Sequence, residues 1–146
     1  MENILIGAHA ALGEIGVFAF IWVFVEVLNN TKKSLSRASI AARIGTFFMI
    51  ASWIVGGYYY LKYYGPDVKP LIKEGPMPWA HSIITESKEH IFLFLPFMAI
   101  LVTGLIENFN TKIRKNILIL SLLIILIGLS MAGLGFMISV GAKVAS

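Results

Sequence analysis

Four long apolar blocks dominate this chain of 146 residues and limit its possible folds more than any other feature. A helix needs about 20 largely apolar residues to cross a hydrocarbon layer of roughly 30 Å. The sequence predicts such helices at about residues 4–28, 40–63, 79–107 and 117–141, which leaves no room for a soluble domain. We therefore expect residues 1–146 to form one all-α domain, an integral membrane four-helix bundle with up-down-up-down topology.

Basic residues are concentrated in the two short connections between the apolar blocks. These connections hold seven of the twelve basic residues, including all three arginines. Cytoplasmic loops of membrane proteins carry an excess of Lys and Arg. We therefore expect both connections to be cytoplasmic, and both termini and the middle connection, Lys62–Glu89, to be extracytoplasmic. The net charge of +4 then reflects topology and does not indicate binding to nucleic acid.

Several functional classes are excluded by what the sequence lacks. The chain has no cysteine, which excludes disulfides, thiolate metal sites and covalently attached c-type haem. The first apolar block has no basic segment before it and is longer than the core of a signal peptide, so we expect it to be a membrane helix. No P-loop, HExxH or GxSxG motif is present. Enzymatic activity is left open.

All three histidines fall on the predicted outer side of the membrane. His9 lies near the outer end of the first helix and His90 at the outer end of the third, at depths that match to within about two turns. The first and third helices are diagonal neighbours in such a bundle, so we expect the two rings to point towards each other across its centre. Because polar side chains inside a bilayer are costly and mark functional sites, both are candidate ligands.

The stretch HSIITESKEH precedes the third apolar block, and we expect the third helix to extend back through it. Glu86 and His90 share a helix face because they are four residues apart. His81 and His90 are nine apart, about 180° round an unbroken helix, so they cannot bind the same metal ion. We expect His81, Lys88 and Glu89 to be solvated interfacial residues.

Glycines are enriched in the middle and outer parts of the predicted helices, which hold nine of the thirteen. Gly13 and Gly16 lie within about 40° of His9 on a helical wheel, so the face below His9 is nearly flat. Such a groove suits a broad planar ligand such as haem, with both glycines in contact with the ligand. Close packing of one helix against another explains the same glycines without a ligand.

Three arrangements of the candidate residues fit the sequence. In the first, His9 and His90 are the axial ligands of one b-type haem, with Met131 as a less favoured ligand and Lys88 among the lysines near the propionates. In the second, His9, Glu86 and His90 hold an ion of iron, manganese or zinc. In the third, the histidines form hydrogen bonds inside the bundle, and the chain is a cofactor-free accessory or structural subunit of a larger membrane complex.

The segments GAHAALGEIG and ESKEH give the sequence a layout that resembles four-helix membrane b-type cytochromes, with histidines on diagonal helices and glycines beneath them. The resemblance implies a multi-pass subunit of the cytoplasmic or inner membrane with one haem b in the outer half of the bundle. It would pass electrons to or from a quinone or an extracytoplasmic redox partner, beside other redox subunits. No histidine is available for a second haem on the inner side.

The remaining polar residues of the helices have structural explanations. Glu26 and Glu107 lie near the predicted inner ends, where we expect ion pairs with Arg43 or Lys112 rather than chemistry. Pro96 is the one proline inside a predicted membrane helix. It should kink the third helix, because proline lacks an N–H and its ring clashes with the preceding turn.

Overall fold

The computed structural model describes residues 2–146, with the side chain of residue 2 left out, and its elements are helices. Four helical runs are long and apolar enough to cross a membrane: Asn3–Asn29, Lys32–Glu74, Ala80–Glu107 and Arg114–Ala145. This confirms an all-α chain with four candidate membrane spans. The elements in order are α1 (Glu2–Asn29), α2 (Lys32–Tyr59), a π-helix (Tyr60–Val68), α3 (Lys69–Glu74), a second π-helix (Ala80–Thr85), α4 (Glu86–Phe92), α5 (Phe94–Glu107) and α6 (Arg114–Ala145).

The connection between α1 and α2 is much shorter than the sequence predicted. Asn30 has a left-handed backbone (φ 51°), which asparagine tolerates better than most residues. Thr31 then caps α2: its hydroxyl accepts the Ser34 N–H at 3.0 Å, and the Ser34 hydroxyl accepts the Thr31 N–H at 2.8 Å. This capping box starts α2 at Lys32 instead of near residue 40.

The middle connection, predicted as a long loop over Lys62–Glu89, is mostly helical. Only residues 75–79 lie between its helical elements. Residues 60–85, here named the cap, have a small apolar core of Tyr64, Ile72 and Ala80 that packs against Ile138 and Ala142 near the end of α6. Burial of this core explains why a segment with Gly65, Pro66 and Pro70 is ordered as helix.

The long helices pack through small and apolar side chains. α1 contacts both α2 and α6, and α5 also contacts α2 and α6. The shared core includes Phe20 of α1, Met49 of α2, Leu95 of α5 and Ile124 of α6. Many large apolar side chains on the other faces are exposed, as lipid-facing helices require.

Two ion pairs lie at the end of the helices that carries the arginines. Arg43 bonds Glu107, with N–O distances of 2.9 and 3.0 Å, which confirms the expected structural role of Glu107. Glu26 also has an arginine partner, but a different one from that predicted. Arg37 donates to both oxygens of the buried Glu26 at 2.6 and 2.7 Å.

The third span is interrupted at Leu93, which separates α4 from α5. Pro96 lies three residues further on, and its ring meets the carbonyl of Phe92 in a regular helix. The break in the helical hydrogen bonds falls one turn before the proline, where its missing N–H removes a bond, and the kink itself stays a prediction. The helical elements of this span also confirm that the third helix extends back through HSIITESKEH.

Candidate functional site

His9 is tied to α2 by two hydrogen bonds that run in opposite directions. Its Nδ1 lies 2.9 Å from the carbonyl oxygen of Ser52, and the Ser52 hydroxyl donates to the carbonyl oxygen of His9 at 2.8 Å. Because a carbonyl oxygen only accepts, Nδ1 of His9 carries the proton. In the neutral ring Nε2 therefore has a free lone pair, the arrangement usual for a metal-ligating histidine.

The glycine face below His9 is covered by α2. A Cβ atom added at Gly13 would lie 3.2 Å from Oγ of Ser52, and one at Gly16 would lie 3.1 Å from Cγ of Met49. On α2 itself, a Cβ at Gly56 would lie 2.5 Å from Nδ1 of His9. The expected open groove is thus filled by α2 side chains, so close packing of α1 against α2 accounts for these glycines.

Two side chains of α4 approach His9 from the other side. Phe92 packs edge-on against the His9 ring, with ring centroids 5.5 Å apart. Lys88 is half-buried, and its Nζ lies 3.0 Å from the position of a Cβ at Gly135 of α6. Its charge also acts on His9. Among the described residues no ion pair of Lys88 with a carboxylate is found, and its half-buried side chain is less solvated than predicted.

Met131 also faces the protein interior. It is buried, and it lies on the same side of α6 as Gly128, whose added Cβ would clash with Val17 of α1. Met131 and Phe92 belong to one apolar cluster. The cluster that contains the thioether of Met131 therefore reaches the His9 ring through Phe92.

His90 points away from this interior. Its ring is exposed, and its Nδ1 donates to the carbonyl oxygen of Glu86 at 2.6 Å. Phe92, which contacts His9, lies two residues further along α4 and so on the opposite side of that helix. The structure therefore does not bring His9 and His90 together. Over residues 2–146 no three acidic or histidine side chains gather in a group that could hold a metal ion.

His81 is buried, with 1% of its surface exposed, so the prediction that it is solvated was wrong. Thr85 donates its hydroxyl proton to the Ala80 carbonyl at 2.9 Å, so Tyr64, 2.8 Å away, must donate to Thr85. The Tyr64 oxygen then accepts the Nδ1–H of His81 at 3.0 Å. Nε2 of His81 is left as a buried lone pair without a hydrogen-bond partner, 3.9 Å from Oε1 of Glu86.

The position of His81 could not be read from the sequence because the backbone around it is π-helical. The Glu86 N–H donates to the His81 carbonyl, five residues back, as it does in a π-helix. In an α-helix these residues would lie about 140° apart. Short π-helices are frequent at functional sites, but no residue pattern in the run HSIITE predicts one.

Comparison with known proteins returns no relative: no family model, no curated protein and no solved structure matches the chain.

Proposed function

We propose that the chain is a multi-pass membrane subunit for electron transfer that binds one b-type haem in the outer half of a four-helix bundle. The observation that supports it best is the state of His9. Its Nδ1–H is bound to a backbone carbonyl, which leaves the lone pair of the half-buried neutral ring on Nε2. A histidine oriented in this way is ready to ligate iron.

The residues around His9 fit a haem better than the pair His9 and His90 does. Met131 offers a thioether from the apolar cluster against which Phe92 packs, and histidine with methionine is a known axial pair. Lys88 offers a cation for a propionate. Phe92 fills the space beside the His9 ring and is the side chain that a haem must displace. His90 faces away from His9, so the predicted role of His90 as the second axial ligand has less support than that of His9.

The bound haem would supply one-electron chemistry, and the chain would supply its surroundings. Ser52 fixes the ring of His9 by accepting the Nδ1 proton. Lys88 places a positive charge among apolar side chains, which is costly. An acidic group such as a haem propionate would neutralise this charge. With both termini and the cap outside, the cap is the surface that would meet a quinone or an extracytoplasmic redox partner.

A second function is supported by a separate observation. α2 covers Gly13 and Gly16, and His9 bonds Ser52, so the predicted site residues also serve to join two helices. This arrangement fits a cofactor-free accessory subunit of a larger membrane complex. The non-haem ion site of His9, Glu86 and His90 has less support. His9 packs against the side of α4 opposite to the face that carries Glu86 and His90.

Absorption spectra of the purified protein from haem-replete cells, oxidised and then reduced, separate these functions. The haem proposal expects a Soret band that His9→Ala abolishes. Met131→Leu should convert the iron from six to five ligands, whereas the control Met137→Leu, at an exposed methionine, should not. If the iron instead loses one ligand in His90→Ala and keeps all its ligands in Met131→Leu, then His9 and His90 are the axial pair. A wild-type protein without a Soret band would leave the accessory function.

A further inference from the structure

One face of α2 carries cations and hydroxyls near the start of the helix and apolar side chains further along it. A helical wheel centred on Ser36 places the following side chains within about 60° of it: Lys32, Ser39, Ile40, Arg43 and Phe47. Lys32 begins α2, and Phe47 lies about four turns further along the helix. This face therefore changes from charged to apolar along its length.

The middle of this face forms one wall of an open cavity between α2 and α5. The cavity has a volume of about 630 Å³, and its lining includes Ser36, Ser39, Ile40 and Arg43 of α2 and Ile106 and Glu107 of α5. It lies at the end of the helices that carries the arginines, near the expected boundary between lipid headgroups and hydrocarbon. A ligand in this cavity would contact polar and apolar walls together.

The polar groups of the cavity are only partly used within the protein. Arg43 donates through Nε and Nη2 to a single oxygen of Glu107, at 3.0 and 2.9 Å, which leaves Nη1 for another acceptor. Over residues 2–146, no hydrogen bond of the Ser36 or Ser39 hydroxyl is found. Arg43 follows Ser39 by about one turn, and helical side chains lean towards the N-terminus, so its guanidinium group lies towards these hydroxyls.

We propose that this cavity binds the phosphate group of an acidic phospholipid, whose acyl chains lie over Phe47 and Ile44. A guanidinium group and hydroxyls are strong hydrogen-bond donors to a phosphate oxygen. Phe47 and Ile44 are exposed and lie deeper along α2 than Arg43, so they offer an apolar surface directly beyond the headgroup. Basic cavities between membrane helices on the cytoplasmic side bind acidic lipid headgroups in this way.

The charges around the cavity favour an acidic lipid over a neutral one. Arg43 and Glu107 offset each other as an ion pair. Lys32 and Lys33 lie about one turn before Ser36, and neither has an ion pair within residues 2–146, so the surroundings are positive. If the arginine-bearing connections are cytoplasmic, this positive end faces the leaflet in which acidic lipids are concentrated.

Native mass spectrometry of the full chain in detergent tests the site, with phosphatidylglycerol and phosphatidylcholine of the same acyl chains added in separate titrations. We expect one phosphatidylglycerol per chain, bound about tenfold more tightly than phosphatidylcholine. Arg43→Gln should weaken the binding of phosphatidylglycerol about tenfold, because it removes a charged donor to the phosphate. Lys115→Gln is the matched control, since it removes one positive charge at the same end of the helices but outside the cavity, and should have little effect.

A second variant tests the site without changing its charge. The double variant Ser36→Ala with Ser39→Ala removes two hydroxyls that make no hydrogen bond in the fold, so the chain should remain as stable as the wild type. We expect it to bind phosphatidylglycerol about tenfold more weakly. Ser87→Ala, at an exposed serine of α4, is the control and should bind the lipid like the wild type.

Three results would overturn the site. The first is equal binding of the two lipids, or no binding of phosphatidylglycerol. The second is an equal loss in Arg43→Gln and Lys115→Gln, which would mean general attraction by positive charge. The third is displacement of the lipid by inorganic phosphate at the same concentration, which would mean a site for a free anion. None of these depends on haem, because neither His9 nor Met131 lines the cavity.

Discussion

His9 of α1 and Ser52 of α2 are held together at both their side chains and their backbones. The ring donates to the Ser52 carbonyl at 2.9 Å, and the Ser52 hydroxyl donates back to the His9 carbonyl at 2.8 Å. Ser52 is fully buried and His9 is half-buried, so little water can replace a lost bond and each bond constrains the other. The pair therefore fixes the distance between the two helices, the orientation of the ring and its tautomer together.

Gly56→Ala should disrupt this pair. The new Cβ would lie 2.5 Å from Nδ1 of His9, and the ring cannot retreat without losing its bonds to Ser52. We expect a destabilisation of about 1–3 kcal/mol, seen as a lower Tm in detergent. Gly57→Ala is the control, because nothing lies within 4 Å of its Cβ position. Equal Tm values for the two variants would contradict the tight contact.

Gly13→Leu should separate α1 from α2. The contact with Oγ of Ser52 at 3.2 Å has no room for a longer side chain. We expect the variant to insert into the membrane, to lose thermal stability and to lose any bound haem. Gly104→Leu, at an open position on α5, should behave like the wild type in membrane fractionation, thermal unfolding and absorbance. Retention of stability and haem in Gly13→Leu would argue that α2 does not cover this glycine.

Arg37→Gln should destabilise the protein more than Arg43→Gln. Arg37 is bound through two nitrogens to Glu26, whose side chain is only 8% exposed, whereas Glu107, the partner of Arg43, is 44% exposed. A buried carboxylate that loses its partner stays desolvated, while an exposed one is solvated by water. The check is the difference between the two Tm values, and a larger decrease for Arg43→Gln would reverse this ranking.

The topology predicts where reporters fused to the chain are active. If the connections that carry the arginines are cytoplasmic, both termini are outside. A reporter that fluoresces only in the cytoplasm, fused after Ser146, should be silent, and an alkaline phosphatase fused there should be active. The same pair fused within the connection before Arg114 should give the opposite result. Fluorescence at Ser146 would place the cap and His9 on the other side of the membrane.

The sequence was sufficient for the features that depend on apolar length and on helical spacing. Four candidate spans, the break before Pro96 and the pairing of Glu107 with Arg43 all follow from such local rules. The glycines were ambiguous for a physical reason. A missing side chain leaves space that either a ligand or a neighbouring helix can fill, and only the position of α2 decides which does.

The environment of His81 was out of reach of the same rules. Its burial depends on Tyr64 and Thr85, which approach it through a π-helical turn that shifts the face of every later residue. Sequence patterns assume 100° per residue, so one extra residue in a turn makes the predicted faces wrong. The same error affected His90, which was expected to face the bundle centre and instead is exposed.

The two-residue connection between α1 and α2 has a consequence for the order of folding. Asn30 and Thr31 join helices that contact each other along their length, so the pairing can begin next to the turn, where the loop to be closed is short and its entropic cost is small. Contacts of low sequence separation form fastest. The first two helices should therefore pair as a hairpin during synthesis, before the cap and α6 exist. His9 would then already be held by Ser52 when the later helices arrive to complete the structure around it.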